Sequence, residues 1–184
     1  MTVKDVVMAA AESVGIGEKV KAYLETGAEE GKKDAQMLLG GFNRVENEVA
    51  LDFLPLYVEE KATIVDGKIA YQDLSRTAVR ILRVTKDGKS VKFRLFPQYI
   101  EVKDEEGEVN VFYSYAPKKK SFEDESDFQL IVSERMFADG VAAEFCLAAG
   151  LFEEAQHWDQ KYKDALAATY RVKTGKVAKA RRWV

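Results

Sequence analysis

Apolar positions recur at helical spacing through the first third of the chain. Val3, Val7, Ala10 and Val14 mark a short amphipathic helix over residues 3–14, and after the Gly15-Ile16-Gly17 break a second helical stretch runs to about Leu24. Glycines punctuate the chain again from Gly27 to Gly31. A longer helix is predicted from about Lys32 to Phe53, with Leu38, Phe42, Val45, Val49 and Phe53 on one stripe and Pro55 closing it. Gly40-Gly41 inside that stripe lowers helix propensity by roughly 1 kcal/mol per residue, so it marks a kink, a close approach of a neighbour, or plain tolerance.

At Tyr57 the period changes from that of a helix to that of a strand. Residues 57–65 and 68–74 flank Asp66-Gly67, residues 76–85 and 90–96 flank Lys86-Asp87-Gly88-Lys89, and residues 99–102 and 108–115 flank Asp104-Glu105-Glu106-Gly107. Each linker carries the turn chemistry of a hairpin, so three hairpins and one antiparallel sheet are expected, with one face covered by helix. The alternation sets Val91, Phe93 and Leu95 on one face and Lys92, Arg94 and Phe96 on the other; Val109, Val111, Tyr113 and Tyr115 form a similar set. Residues 117–127 read as a charged loop. A helix is then expected from about Asp127 to Ala149, carrying Phe137, Val141, Phe145 and Ala148 on one face, with Gly140 as a possible interruption. Gly150 stops it, and an antiparallel partner runs from Leu151 to about Arg171 with Leu151, Ala155, Trp158, Tyr162, Ala165 and Thr169 on its stripe. The fold class is therefore α+β: a helical bundle with an inserted antiparallel β-hairpin region and an extended C-terminal arm. In residue terms, one domain spans 1–170 (helices 3–54, β-region 57–116, helix pair 127–171) and the arm spans 172–184.

Composition describes a protein with material for one core: 184 residues, 47% apolar and 32% charged. No apolar run approaches the ~18–20 residues that span a bilayer, and the first residues lack a signal-peptide pattern, so a cytoplasm-like compartment is expected. Charge changes the picture. The chain holds 28 bases and 31 acids, but residues 171–184 contain six bases (Arg171, Lys173, Lys176, Lys179, Arg181, Arg182), no acid, and the terminal pair Trp183-Val184. That leaves 22 bases against 31 acids in residues 1–170. A basic arm ending in a large apolar ring suits docking into a pocket with acidic surroundings.

Candidate chemistry adds little. One cysteine, Cys146, and one histidine, His157, exclude a Cys/His metal site within one chain, and no cofactor is expected. Glu123, Asp124, Glu125 and Asp127 could supply carboxylates, but acids beside Lys118-Lys119-Lys120 read better as a solvated turn. His157 has Glu153 and Glu154 within a helical turn, the elements of a small hydrolase, yet no nucleophile stands near in sequence. No phosphate-binding glycine motif occurs. The expectation is that the chain is not an enzyme. The strand aromatics Phe93, Phe96, Tyr99, Phe112, Tyr113 and Tyr115 could stack bases, and the arm could bind phosphates, so nucleic-acid binding through the basic arm is the alternative function.

The order helices, hairpin-rich sheet, helix pair and basic tail resembles the head–tail adaptor, or connector, proteins of tailed bacteriophages. The likeness in wording lies in Phe137-Ala138-Asp139-Gly140-Val141-Ala142-Ala143-Glu144-Phe145-Cys146-Leu147-Ala148-Ala149-Gly150-Leu151-Phe152-Glu153-Glu154-Ala155, continued by Trp158, Lys161-Tyr162 and Asp164-Ala165-Leu166. Tyr113-Ser114-Tyr115-Ala116-Pro117 before the acidic loop fits the same pattern. Smaller adaptors are mainly helical, so the long sheet resembles the variants with an inserted β-region. The resemblance implies a structural virion protein of the neck, assembled in the host cytoplasm. It would form a ring of about twelve copies between the portal protein and the next neck or tail component, and let DNA pass without specific binding. It also implies that the arm of Arg171, Lys173, Lys176, Lys179, Arg181, Arg182, Trp183 and Val184 docks on the portal, and that no membrane is involved.

Overall fold

A computed structural model describes residues 1–103, 105–129 and 133–174 of the chain. It is α+β, as expected, and divides into two compact units, one formed by residues 1–46 with the segment from 119 onward, the other by residues 47–118.

The first unit is helical. Thr2 caps α1 (Val3–Ser13) by accepting the Asp5 N–H at 3.1 Å, and α2 spans Gly17–Thr26. α3 covers Lys32–Glu48 and continues as one π-helical turn, Val49–Phe53, so the predicted helix to Phe53 is continuous but wider at its end. Its stripe behaves as read: Leu38, Phe42, Val45 and Val49 are buried, although Phe53 is exposed. α4 (Glu134–Ala149) begins seven residues later than the predicted Asp127, because Ser133 supplies the cap to the Met136 N–H and residues 126–128 are spent on anchoring a loop. Gly150, at φ +80°, ends α4, and α5 (Phe152–Thr174) returns along it.

Gly41 resolves the reading of the glycine pair. A Cβ there would lie 3.4 Å from the Val141 carbonyl and 3.3 Å from the Glu144 Cβ, so the glycine lets α3 approach α4. Gly140 does not interrupt α4; it faces Val45 of α3 and Tyr162 of α5 at the point where three helices meet. Around it Phe42, Phe128 and Phe137 pack with ring centroids 5.7 and 5.8 Å apart.

The second unit is all strand apart from the π turn and a short 3-10 turn. β1 (Leu56–Ile64), β7 (Gly107–Ala116), β3 (Thr77–Lys86) and β4 (Lys89–Ser90) form one antiparallel sheet in that order. β2 (Lys68–Ala70), β6 (Tyr99–Val102) and β5 (Phe93–Leu95) form a second. The expected three hairpins are corrected here. Asp66-Gly67 makes a turn with both residues at positive φ, but only Val65 and Lys68 pair across it before β1 and β2 leave for different sheets. The 86–89 turn joins β3 to a β4 of two residues, and β6 and β7 do not pair at all. Turn chemistry sets the reversal; the partner of each strand is set by burial. Ala62, Ile64, Ile81, Val84, Val109, Val111 and Tyr113 of the larger sheet close over Ile69, Ile100 and Val102 of the smaller one. The expectation that helix would cover this face is therefore also corrected, since a second sheet does so.

Candidate interaction surfaces

Of the residues singled out as candidate chemistry, Asp124, Glu125 and Asp127 are occupied within the loop before α4. Asp124 accepts from the Ser121 N–H (2.6 Å) and hydroxyl (2.7 Å), which hold its carboxyl below the usual range. Asp127 receives the Lys120 ammonium at 2.8 Å with both side chains about nine-tenths buried, and Glu125 accepts from Gln129. Glu123 is exposed. His157 is exposed, its ring edge-on to Trp158 at 5.6 Å, and Glu153 and Glu154 are exposed in the first turn of α5. Cys146 is buried, and burial, with the Glu154 charge adding to it, pushes its thiol up, away from the thiolate a nucleophile needs. Among the described residues no group of three His, Cys, Asp or Glu side chains could hold a metal ion. No described helix is long and apolar enough to cross a membrane.

The predicted docking arm divides at Thr174. Arg171 and Lys173 belong to the last turn of α5, so the helix takes in the first positions assigned to the arm; Lys176, Lys179, Arg181, Arg182, Trp183 and Val184 lie outside the described residues.

What the structure adds is a set of exposed faces. The turn between α4 and α5 presents Leu147, Leu151 and Phe152, 54%, 45% and 68% exposed, beside Glu153 and Glu154. Outside the larger sheet, Tyr57 stacks on Phe112 at 5.6 Å, and the Arg83 guanidinium lies over Phe112 at 5.5 Å while pairing with Glu59. Val79 and Leu82, at the two β-bulges of β3, are exposed there as well.

The outer face of the three-stranded sheet is basic. Lys68 and Arg94 both stand opposite Glu101 of the central strand, and Lys92 and Lys103 follow in the next row. The Phe96 and Tyr99 rings stack at 4.8 Å, and the Lys68 ammonium sits 4.8 Å from the Tyr99 centroid. Val91, Lys92, Phe93, Arg94, Glu101 and Lys103 line an open cleft of about 630 Å³ on this sheet. Phe96 is 37% exposed on this face, while Leu95, 54% exposed, alternates to the other side of the strand with Phe93. The aromatics named in the sequence thus separate: Tyr113 is fully buried, Phe93 and Tyr115 pack against the core, and Phe96 is exposed. The signal for this face was the alternation that put Lys92, Arg94 and Phe96 on one side. Sequence could not show that no strand or helix of the unit would cover it.

Charge is distributed unevenly. Residues 47–118 carry 11 bases and 12 acids, whereas residues 1–46 with 119–170 carry 11 bases and 19 acids. The excess of acids therefore lies in the helical segments before residue 171; the six bases of residues 171–184 bring that unit to 17 bases against 19 acids. No protein-family model and no curated protein matches the chain.

Proposed function

We propose that this protein is a non-catalytic assembly protein of a tailed phage: a ring-forming adaptor between portal and tail that joins head to tail and continues the DNA channel. The observation that carries this reading is the acid-free run of six bases from Arg171 to Trp183-Val184, of which Arg171 and Lys173 belong to the 23-residue α5 and the other four follow it in sequence. The α4–α5 pair supports it, because its wording is what resembles the connector family. In a ring, many copies of a modest arm contact act together, so a single arm need not bind tightly. The arm then meets acidic protein surface through its bases and a pocket through Trp183.

Deleting residues 175–184 tests the reading, since all of them follow the last described residue of α5. The truncated protein should keep its helical circular dichroism and fail to join portal-containing heads. Normal joining of heads to tails by the truncated protein would overturn the docking role. Salt-sensitive binding of duplex DNA by the isolated full chain, lost on the same truncation, would favour the nucleic-acid alternative instead.

A further inference from the structure

We infer that the basic face of the three-stranded sheet of one copy docks on the apolar, acidic α4–α5 turn of a second copy. The inference rests on the reading of the protein as a ring-former and names the two faces through which neighbours would meet. Both faces set apolar side chains beside charges, acidic at the turn and mainly basic on the sheet. The turn sets Leu147, Leu151 and Phe152 beside Glu153 and Glu154; the sheet sets the stacked Phe96 and Tyr99 rings among Lys68, Lys92, Arg94 and Lys103, with Glu101 between them. Exposed apolar side chains at the centre of a patch with charges around them are the anatomy of a protein contact.

Pairing is directional. Among the described residues Lys92, Arg94 and Lys103 make no ion pair, and neither do Glu153 and Glu154, so the charges on both faces are available. Glu153 and Glu154 sit in the first turn of α5, where the helix dipole favours them. Turn against turn, or sheet against sheet, would bring like charges together; turn against sheet brings opposite ones together. Such a contact uses different surfaces on the two partners. Each copy therefore offers one face and receives on the other, so the contact can be repeated from copy to copy into a closed ring or a filament. The opposite charges of the two faces have a use in this arrangement, since an acidic turn always meets a basic sheet.

The test uses the full chain and two sets of charge reversals at exposed positions. One variant carries Lys92→Glu, Arg94→Glu and Lys103→Glu; the other carries Glu153→Lys and Glu154→Lys. Circular dichroism confirms that each is folded, and sedimentation velocity with light scattering reads assembly against concentration and salt. Wild type should assemble, less so at high salt, and each variant alone should weaken assembly at least ~10-fold. An equimolar mixture of the two should regain it, because the reversed sheet of one now fits the reversed turn of the other. Wild-type assembly unchanged in both variants would overturn the contact and leave the ring standing on other surfaces. Variants that lose assembly without rescue on mixing would overturn the pairing of these two faces. Wild type that stays monomeric to ~1 mM would overturn the contact, while the arm truncation above still tests the adaptor reading separately. Assembly abolished by nuclease would assign the sheet to nucleic acid and overturn it equally.

Discussion

At the scale of residues, Glu46 is the most exacting position in the helical unit. It is fully buried, and its Oε1 accepts from the Ser126 hydroxyl at 2.8 Å and the Asp127 N–H at 2.9 Å, while Oε2 has no partner among the described residues. One turn earlier Asn43 donates to the Lys120 carbonyl (3.1 Å) and accepts the Lys120 N–H (2.6 Å), so one face of α3 clasps the loop before α4 at both ends. Burial raises the Glu46 pKa, against the lowering effect of Ser126, Asp127 N–H and Lys120. The folded state then holds the proton more tightly than the unfolded chain, so this residue's contribution to stability falls as pH rises from the ordinary carboxylate range through the raised value. Glu46→Gln keeps the Oε1 acceptor and removes the charge; chemical denaturation across that window should show a flatter pH profile than wild type, and an unchanged profile would refute the assignment. Glu46→Ala strands the Ser126 hydroxyl and the Asp127 N–H and should cost about 2–4 kcal/mol at neutral pH in the same measurement. Nothing in the sequence set Glu46 apart from thirty other acids, because its partners lie 80 residues away.

At the scale of elements, two glycines of similar appearance predict opposite outcomes. A Cβ at Gly140 would stand 3.0 Å from Tyr162 Cδ2 and 3.1 Å from both methyls of Val45, whereas at Gly40 it would meet only Arg44 Nη1, at an ordinary van der Waals distance of 3.7 Å. Gly140→Ala should lower stability by about 1 kcal/mol, overpacking outweighing the gain in helix propensity, while Gly40→Ala should raise it by about 0.5–1 kcal/mol. Thermal unfolding of the two single variants decides this; a stabilised Gly140→Ala would mean that α5 shifts freely against α4. The helices themselves were legible: the apolar stripe of α3, the stop at Gly150 and the antiparallel return of α5 all follow from spacing and capping. Strand pairing was not. A turn such as Asp66-Gly67 announces itself locally, but β1 pairs along its length with β7, more than 40 residues away, because the apolar side of β7 offers the larger buried face. Glu60 of β1 shows the same long reach. Although burial acts to raise its pKa, the Ser75 N–H and the Tyr113 hydroxyl at 2.8 and 2.6 Å outweigh this and lower it.

At the scale of the whole molecule, the β unit is an insertion in a helical chain. Residues 47–118 own a separate core, and the Asn43–Lys120 bonds hold the points where the chain leaves and re-enters the helical unit next to each other. A polypeptide of residues 47–118 should therefore fold alone, and residues 1–46 joined to 119–184 by a short Gly-Ser linker should keep the helical unit. Circular dichroism of the two, with cooperative melting of each, checks this; a β fragment that melts without cooperativity would show that its sheets need the helices. The same division places the excess of acids in the helical segments and the basic sheet face in the insertion.

Local physics, read from the sequence alone, determined the α+β class, the helix stripes, the turns and the basic stretch of residues 171–184. Periodicity, capping and charge depend on neighbours within a few residues, so one dimension suffices for them. Only the tertiary structure decided that the strands form two facing sheets, that Gly41 and Gly140 are packing positions, and that Glu46 is a buried anchor. It also decided which apolar side chains stay outside: Leu147, Leu151 and Phe152 at one turn, Leu95 and Phe96 on one sheet. Burial is a property of contacts between distant segments, and an apolar residue looks the same in sequence whether its neighbour belongs to its own core or to another molecule.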